Sequence, residues 1–112
     1  FNILNFSKYY QNKVFNINKK KKKIKTKCFL FGASQFSQFL LYRGLNQSKI
    51  ISILDNSKTK NNKYVYGYKF KIKNPKIIKK IQNPHVILIA GNYQTEITHQ
   101  LKAINSSTKI IR

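Results

Sequence analysis

Acidic side chains are almost missing from this chain. Asp55 and Glu96 are the only two in 112 residues, against 23 lysines and arginines. Two carboxylates so far apart in sequence do not compose a general acid–base pair, and no Ser–His–acid order is recognisable, so no catalytic residue is expected in this segment. The single cysteine, Cys28, excludes an internal disulfide and fits a reducing, cytoplasmic setting. His85 and His99 form no ligand spacing with it, so no metal site is expected; both histidines are read as structural or surface residues and Cys28 as core. Arginine occurs only at Arg43 and Arg112, although it is the usual residue for bidentate recognition of phosphates and bases. Apolar runs fall far short of the roughly 20 residues that span a bilayer, and none carries the cleavage site of a signal peptide, so no membrane partner is expected. The chain begins at Phe1 rather than Met, which suggests a piece of a longer protein.

What is present is apolar side chains, 41% of the sequence, and a net charge of +21. The first predicts a folded domain with a core of its own. The second has two readings. A basic surface suits nucleic acid. Lysine, asparagine and isoleucine are enriched together, however, as A/T-rich codons would enrich them, and that bias raises the charge with no selection for binding. Composition drift is the preferred reading, with nonspecific attraction of nucleic acid as its consequence.

Hydrophobic periodicity organises the chain. Ile3, Phe6, Tyr10, Val14 and Ile17 recur at spacings of three and four, which predicts a helix over 3–17. The lysine run 19–23 that follows is expected to be a solvated linker, so residues 1–26 are read as an N-terminal helix and lysine-rich connector, and 27–112 as the domain proper. "CFLF" at 28–31, "IISIL" at 50–54, "HVILIA" at 85–90 and "TKII" at 108–111 read as buried strands. "YVYGYKFKI" at 64–72 reads as one or two short strands with a turn at Gly67. Helices are expected after Ser34 as cap, with Gly44 as the residue that ends it, from Pro75, and over 93–104. Strands alternating with helices predict an α/β fold, Rossmann-like in three layers, with a mostly parallel sheet.

Ligands of such sheets bind beyond the carboxyl ends of the strands. Three segments converge there: "GASQ" at 32–35, "DNS" at 55–57 and "GNYQTE" at 91–96. They make Gly32, Ala33, Ser34, Asp55, Asn56, Gly91, Asn92, Tyr93 and Glu96 the candidate substrate-binding residues. Asp55 follows Gly32 at about the distance, roughly 20 residues, at which the acid of a nucleotide-binding unit meets a ribose hydroxyl. Only one of the three fingerprint glycines is present. Local roles compete: an acid at Glu96 suits a first helical turn, and Asp55 can cap the turn after its strand.

Phe31-Gly32-Ala33, Gly44-Leu45, the run Ile50 to Asn56, Lys60, Gly67, Ile72 to Pro75, and the run Asn92 to Leu101 share an order and spacing. Over roughly 30–101 this order resembles the C-terminal domain of nucleotide-sugar C-methyltransferases, class I S-adenosylmethionine-dependent enzymes. Gly91 stands where many members carry a tryptophan. The resemblance implies a Rossmann-like domain that helps form a sugar-nucleotide cleft. It implies two further domains outside this chain, one binding zinc and one binding S-adenosylmethionine and carrying methyl transfer. No cofactor is then expected in this segment. Rival readings are a basic nucleic-acid-binding module, using the lysine cluster, and a free-standing nucleotide-binding Rossmann-like domain.

Overall fold

In a computed structural model, which describes residues 3–24, 27–32, 35–65, 67–89 and 91–112, the chain forms five strands and three α-helices. The strands are β1 (Cys28–Phe31), β2 (Ile50–Leu54), β3 (Ile72–Lys73), β4 (His85–Ile87) and β5 (Lys109–Ile111). The helices are α1 (Ile3–Lys21), α2 (Gln35–Tyr42) and α3 (Gln94–Ile104). A 3₁₀ helix, Pro75–Lys80, lies between β3 and β4, and a second, Gly91–Tyr93, leads into α3. All five strands are parallel, in the order β3-β2-β1-β4-β5. This is the Rossmann-like α/β arrangement that the alternation predicts.

Topology decides which face each helix covers. The step from β1 to β2 runs in one direction across the sheet; the steps from β3 to β4 and from β4 to β5 run in the other. Right-handed crossovers then place α2 on one face and α3, with the first 3₁₀ helix, on the opposite face. Two separate cores follow. Cys28 and Leu30 of β1, Ile53, Ile87 and Ile111 pack with Leu40 and Leu41 of α2 and with Val14 and Ile17 of α1. Phe29, Leu54, Val86 and Leu88 pack on the other side with Ile78 and Leu101. α1 therefore fills the part of the first face that no crossover reaches. A register shift between Cys28 and Phe29 makes Ile51 an extra residue of β2. It is thrown out to solvent, 51% exposed, while Ile50 and Ile53 keep their places in the core.

The end of α2 shows how a few residues set a helix boundary. Gly44, at φ +98°, donates to the Leu41 carbonyl at 3.2 Å, and Leu45 donates to the Leu40 carbonyl at 3.1 Å. This is the paired closure of a Schellman motif, with Leu45 and Leu40 in the same core.

Three expectations change in detail. Among its described residues the segment 64–72 contributes the first residue of β3 and an isolated antiparallel bridge between Tyr64 and Lys71. Val65 N–H to Phe70 O at 2.9 Å and Ile72 N–H to Lys63 O at 2.7 Å close it into a small hairpin. β4 pairs over His85–Ile87 only, although Leu88 N–H still reaches the Ile111 carbonyl at 2.9 Å. The lysine run differs most. α1 continues to Lys21, because the stripe of Val14 and Ile17 extends by four residues to Lys21 and by three more to Ile24. Lys21 is only 4% exposed. Its ammonium donates to the Ser48 carbonyl at 2.7 Å and to the Asn46 carbonyl. Asn18, one turn earlier, donates to the Gly44 carbonyl at 2.9 Å and accepts from the Asn46 amide at 2.7 Å. These bonds fasten the end of α1 to the loop between α2 and β2.

Candidate functional site

The chain steps one way from β1 to β2 and the other way from β4 to β5, so the carboxyl ends of β1 and β4 splay their following segments apart. In an open parallel sheet this switch point leaves a crevice. A cavity of about 600 Å³ lies there. Phe31 and Gly32 line it from the end of β1. Leu88, Ile89 and Gly91 line it from the segment after β4, and Tyr93, Gln94 and Ile97 from the approach to α3 and its first turns. Tyr9, Tyr10 and Lys13 of α1 form another wall, and Arg112 follows β5.

Gly32 is held open by its backbone. Its φ of +100° is one that side-chain-bearing residues rarely adopt. Its N–H donates to the Leu54 carbonyl at 2.6 Å, and its carbonyl accepts from the Ser37 hydroxyl. Ser37 therefore lines the crevice with its proton already committed. On the opposite lip Gln94 Nε2 donates to the Leu88 carbonyl at 2.9 Å, which ties the start of α3 to the end of β4.

The α1 wall is set by aromatic contacts. Tyr9 meets Tyr10 edge to face at a centroid distance of 4.8 Å, Tyr10 meets Phe39 of α2 in the same way at 6.0 Å, and the Arg43 guanidinium lies 5.2 Å from the Phe39 ring centre. Such pairs favour these perpendicular geometries through their quadrupoles. Tyr9 and Tyr93 remain 55% and 65% exposed, so each offers a ring to the crevice mouth. Lys13 and Arg112 are the charged side chains of the lining; among the described residues no aspartate or glutamate joins them. The crevice thus combines aromatic surface with positive charge, a chemistry suited to an anion that carries a ring.

The family model of the C-methyltransferase C-terminal domain matches residues 6–111. The chain belongs to that family. No curated protein and no solved structure matches it.

Within this C-methyltransferase C-terminal domain, the residues singled out from sequence separate into three groups. Gly32, Gly91 and Tyr93 come together in the crevice. Ala33 and Ser34 lie outside the described residues. Asp55, Asn56, Asn92 and Glu96 are not in its lining. Asp55 Oδ1 accepts from the Ser57 amide at 2.7 Å, closing the turn after β2. Asn56 and Gln100 of α3 exchange two amide hydrogen bonds, of 3.0 and 2.7 Å, and so link that turn to the helix. Glu96 sits in the first turn of α3, where the helix dipole favours an acid.

Tyr9, Tyr10, Lys13, Ser37 and Arg112 are lining residues outside the sequence motifs, and Gln94 lies inside the segment 91–96 without being a candidate there. Tyr10 belongs to the α1 stripe, a signal that points to burial and not to a cleft. Lys13 and Arg112 are two of many cations, and only the fold places them on one cavity. Among the described residues no group of three or more His, Cys, Asp or Glu could hold a metal, and no helix is long and apolar enough to cross a membrane.

Proposed function

We propose that this domain supplies one wall of the substrate cleft of a class I S-adenosylmethionine-dependent C-methyltransferase that acts on a nucleotide-linked sugar. The observation that carries the proposal is the crevice at the switch point, with its aromatic lips and paired cations. An aromatic side chain offers a face for a base or sugar ring, and Lys13 and Arg112 offer donors to phosphate oxygens. S-adenosylmethionine, when bound, supplies an electrophilic methyl group on a sulfonium. That cation does not suit a lining with two positive side chains and no acidic side chain among the described residues. In this reading the cofactor and the methyl transfer belong to a separate methyltransferase domain, next to a zinc-binding one. This domain positions the sugar nucleotide. Its place of work is the cytoplasm.

The test is a titration of the ¹⁵N-labelled chain with uridine diphosphate glucose and thymidine diphosphate glucose, and separately with S-adenosylmethionine. The sugar nucleotides are expected to shift the amides of Gly32, Gly91, Tyr93 and Gln94. S-adenosylmethionine is expected to leave them in place, and the chain to transfer no methyl group. Micromolar binding of S-adenosylmethionine by this chain would overturn the division of roles, and sugar-nucleotide shifts confined to surfaces away from the crevice would overturn the cleft.

A further inference from the structure

A second cavity, of about 590 Å³, adjoins the crevice and shares Lys13 and Arg112 with it. It runs between α1 and the β4–β5 side of the sheet. Lys13, Lys19, Lys20, Lys23, His85 and Arg112 surround it, over a floor of Ile24 and Ile111. Lys13, Asn16, Lys20 and Lys23 recur in steps of three and four, so one stripe of α1 and the turn after it faces the cavity. The adjacent stripe, Val14 and Ile17, is buried in the core and fixes that orientation. Lys20 Nζ donates to the main-chain oxygen of Arg112 at 2.9 Å, which holds the end of β5 against α1. No aspartate or glutamate lines the cavity among the described residues.

Cations gathered around a concavity repel one another, and a multivalent anion relieves that repulsion while accepting several charge-assisted hydrogen bonds. A scattered surface charge lacks both the enclosure and the shared wall with an aromatic crevice. From this juxtaposition we infer that the second cavity is a phosphoanhydride site: it takes the diphosphate of the ligand whose ring occupies the crevice, with Lys13 and Arg112 at the junction. The assignment to one ligand rests on the cleft reading above. It orients that ligand, ring toward Tyr9 and Tyr93 and phosphates toward Lys20 and Lys23.

The experiment uses three probes at one fixed ionic strength near 150 mM: inorganic pyrophosphate, uridine and uridine diphosphate glucose. Each is titrated into the ¹⁵N-labelled chain and three variants. K19Q/K20Q/K23Q removes three cations that line the second cavity and not the crevice. K19Q/K23Q leaves the Lys20–Arg112 bond intact and guards against a loss of packing. K76Q/K79Q/K80Q removes as much charge from the exposed side chains of the first 3₁₀ helix. Pyrophosphate is expected to shift the Lys20, Lys23 and Arg112 amides. K19Q/K20Q/K23Q is expected to weaken pyrophosphate and uridine diphosphate glucose by about tenfold or more, K19Q/K23Q to weaken both less, and the control triple to change either by less than about twofold. Uridine is expected to shift Gly32 and Tyr93 equally in all four proteins.

Equal weakening by the control triple would show a general field and overturn the site. Uridine binding without any pyrophosphate binding would overturn the site and leave the cleft standing. Pyrophosphate bound in the second cavity, with neither uridine nor the sugar nucleotide touching the crevice, would overturn the assignment to one ligand together with the cleft.

Discussion

Lys21 and Cys28 are buried ionisable residues whose pH responses have opposite sign. Burial holds the Lys21 ammonium below its ordinary value of 10.5; the Cys28 side chain raises it and Lys49 lowers it by smaller amounts. Burial pushes the Cys28 thiol up, from 9.0 to about 11, against smaller lowering effects of Lys21 and of the bond to the Phe29 carbonyl. As pH rises, the folded state releases the Lys21 proton before the unfolded state does, so this residue's contribution to stability increases toward pH 10.5. The folded state keeps the Cys28 proton longer, so the stability it contributes is complete below about pH 9 and is lost as pH climbs to about 11. Urea unfolding of the wild type, Cys28→Ala and Lys21→Met between pH 8 and 11 separates the two. The stability difference between wild type and Cys28→Ala should fall across that window by an amount on the order of 2–3 kcal/mol, and the difference between wild type and Lys21→Met should change in the opposite direction. A flat difference in both comparisons would contradict the burial of these groups. Ser52 makes a simpler case. It is 4% exposed, and its hydroxyl is the one buried side-chain polar atom without a hydrogen-bond partner among the described residues. An unpaired hydroxyl in a core is costly, so Ser52→Ala should raise stability by roughly 1 kcal/mol, read as a higher urea midpoint with an unchanged slope.

At the scale of elements, side-chain amides join pieces that periodicity alone leaves separate. Asn105 ends α3, and its Nδ2 donates to the Ile78 carbonyl at 2.8 Å and to the Ile81 carbonyl at 2.6 Å. The Ile78 carbonyl also accepts from the Ile81 N–H at 3.1 Å, and the Ile81 carbonyl lies just past the first 3₁₀ helix, where backbone acceptors run out of helical partners. Its Oδ1 accepts from the Ser107 amide at 3.0 Å and the Ser107 hydroxyl at 2.7 Å, which turns the chain into β5. Asn105→Ala should therefore cost roughly 2–3 kcal/mol, two or more hydrogen bonds at about 1 kcal/mol each. Asn105→Asp keeps the acceptor and loses both donations, so it should recover only part of that. Recovery to wild-type stability by the aspartate would show that the donations carry nothing. α1 is the second case. Its stripe from Ile3 to Ile17 is legible as a helix face, but its end is not, because a lysine at Lys21 reads as solvent-exposed. Lys21 is buried because its ammonium reaches carbonyls 25 and 27 residues away, a pairing that no local pattern contains.

For the whole molecule the net charge of +21 sets the behaviour toward polyanions. Lysines such as Lys8, Lys58, Lys79 and Lys102 are exposed on different parts of the fold. Duplex DNA should bind at low salt without sequence preference, and its affinity should fall roughly 10³-fold or more between 50 and 200 mM salt if several phosphates are engaged. Fluorescence anisotropy with two unrelated duplexes over that range measures it. Sequence-selective binding that survives near 150 mM salt and disappears with K19Q/K20Q/K23Q would instead make nucleic acid the ligand of the α1–β5 cavity.

The sequence alone determined the alternation of strands and helices, the parallel sheet, the termination of α2 at Gly44 and the turn positions at Gly32 and Gly91. Each is a consequence of short-range physics: apolar period, a φ open to glycine, and the saturation of backbone groups within a turn or two. Phe31, Gly32 and the run Asn92 to Leu101 also carried the resemblance to the C-methyltransferase C-terminal domain. The tertiary structure decided which of the residues at strand ends share a cavity. Asp55 stands at the end of β2 and turns its carboxylate to its own loop, whereas Tyr9, Lys13 and Arg112 come from the two ends of the chain to line the crevice. That choice follows from the strand order and from the docking of α1 beside α2, on the part of that face the crossovers leave bare. Both are set by contacts between residues far apart in sequence, which spacing along the chain does not encode.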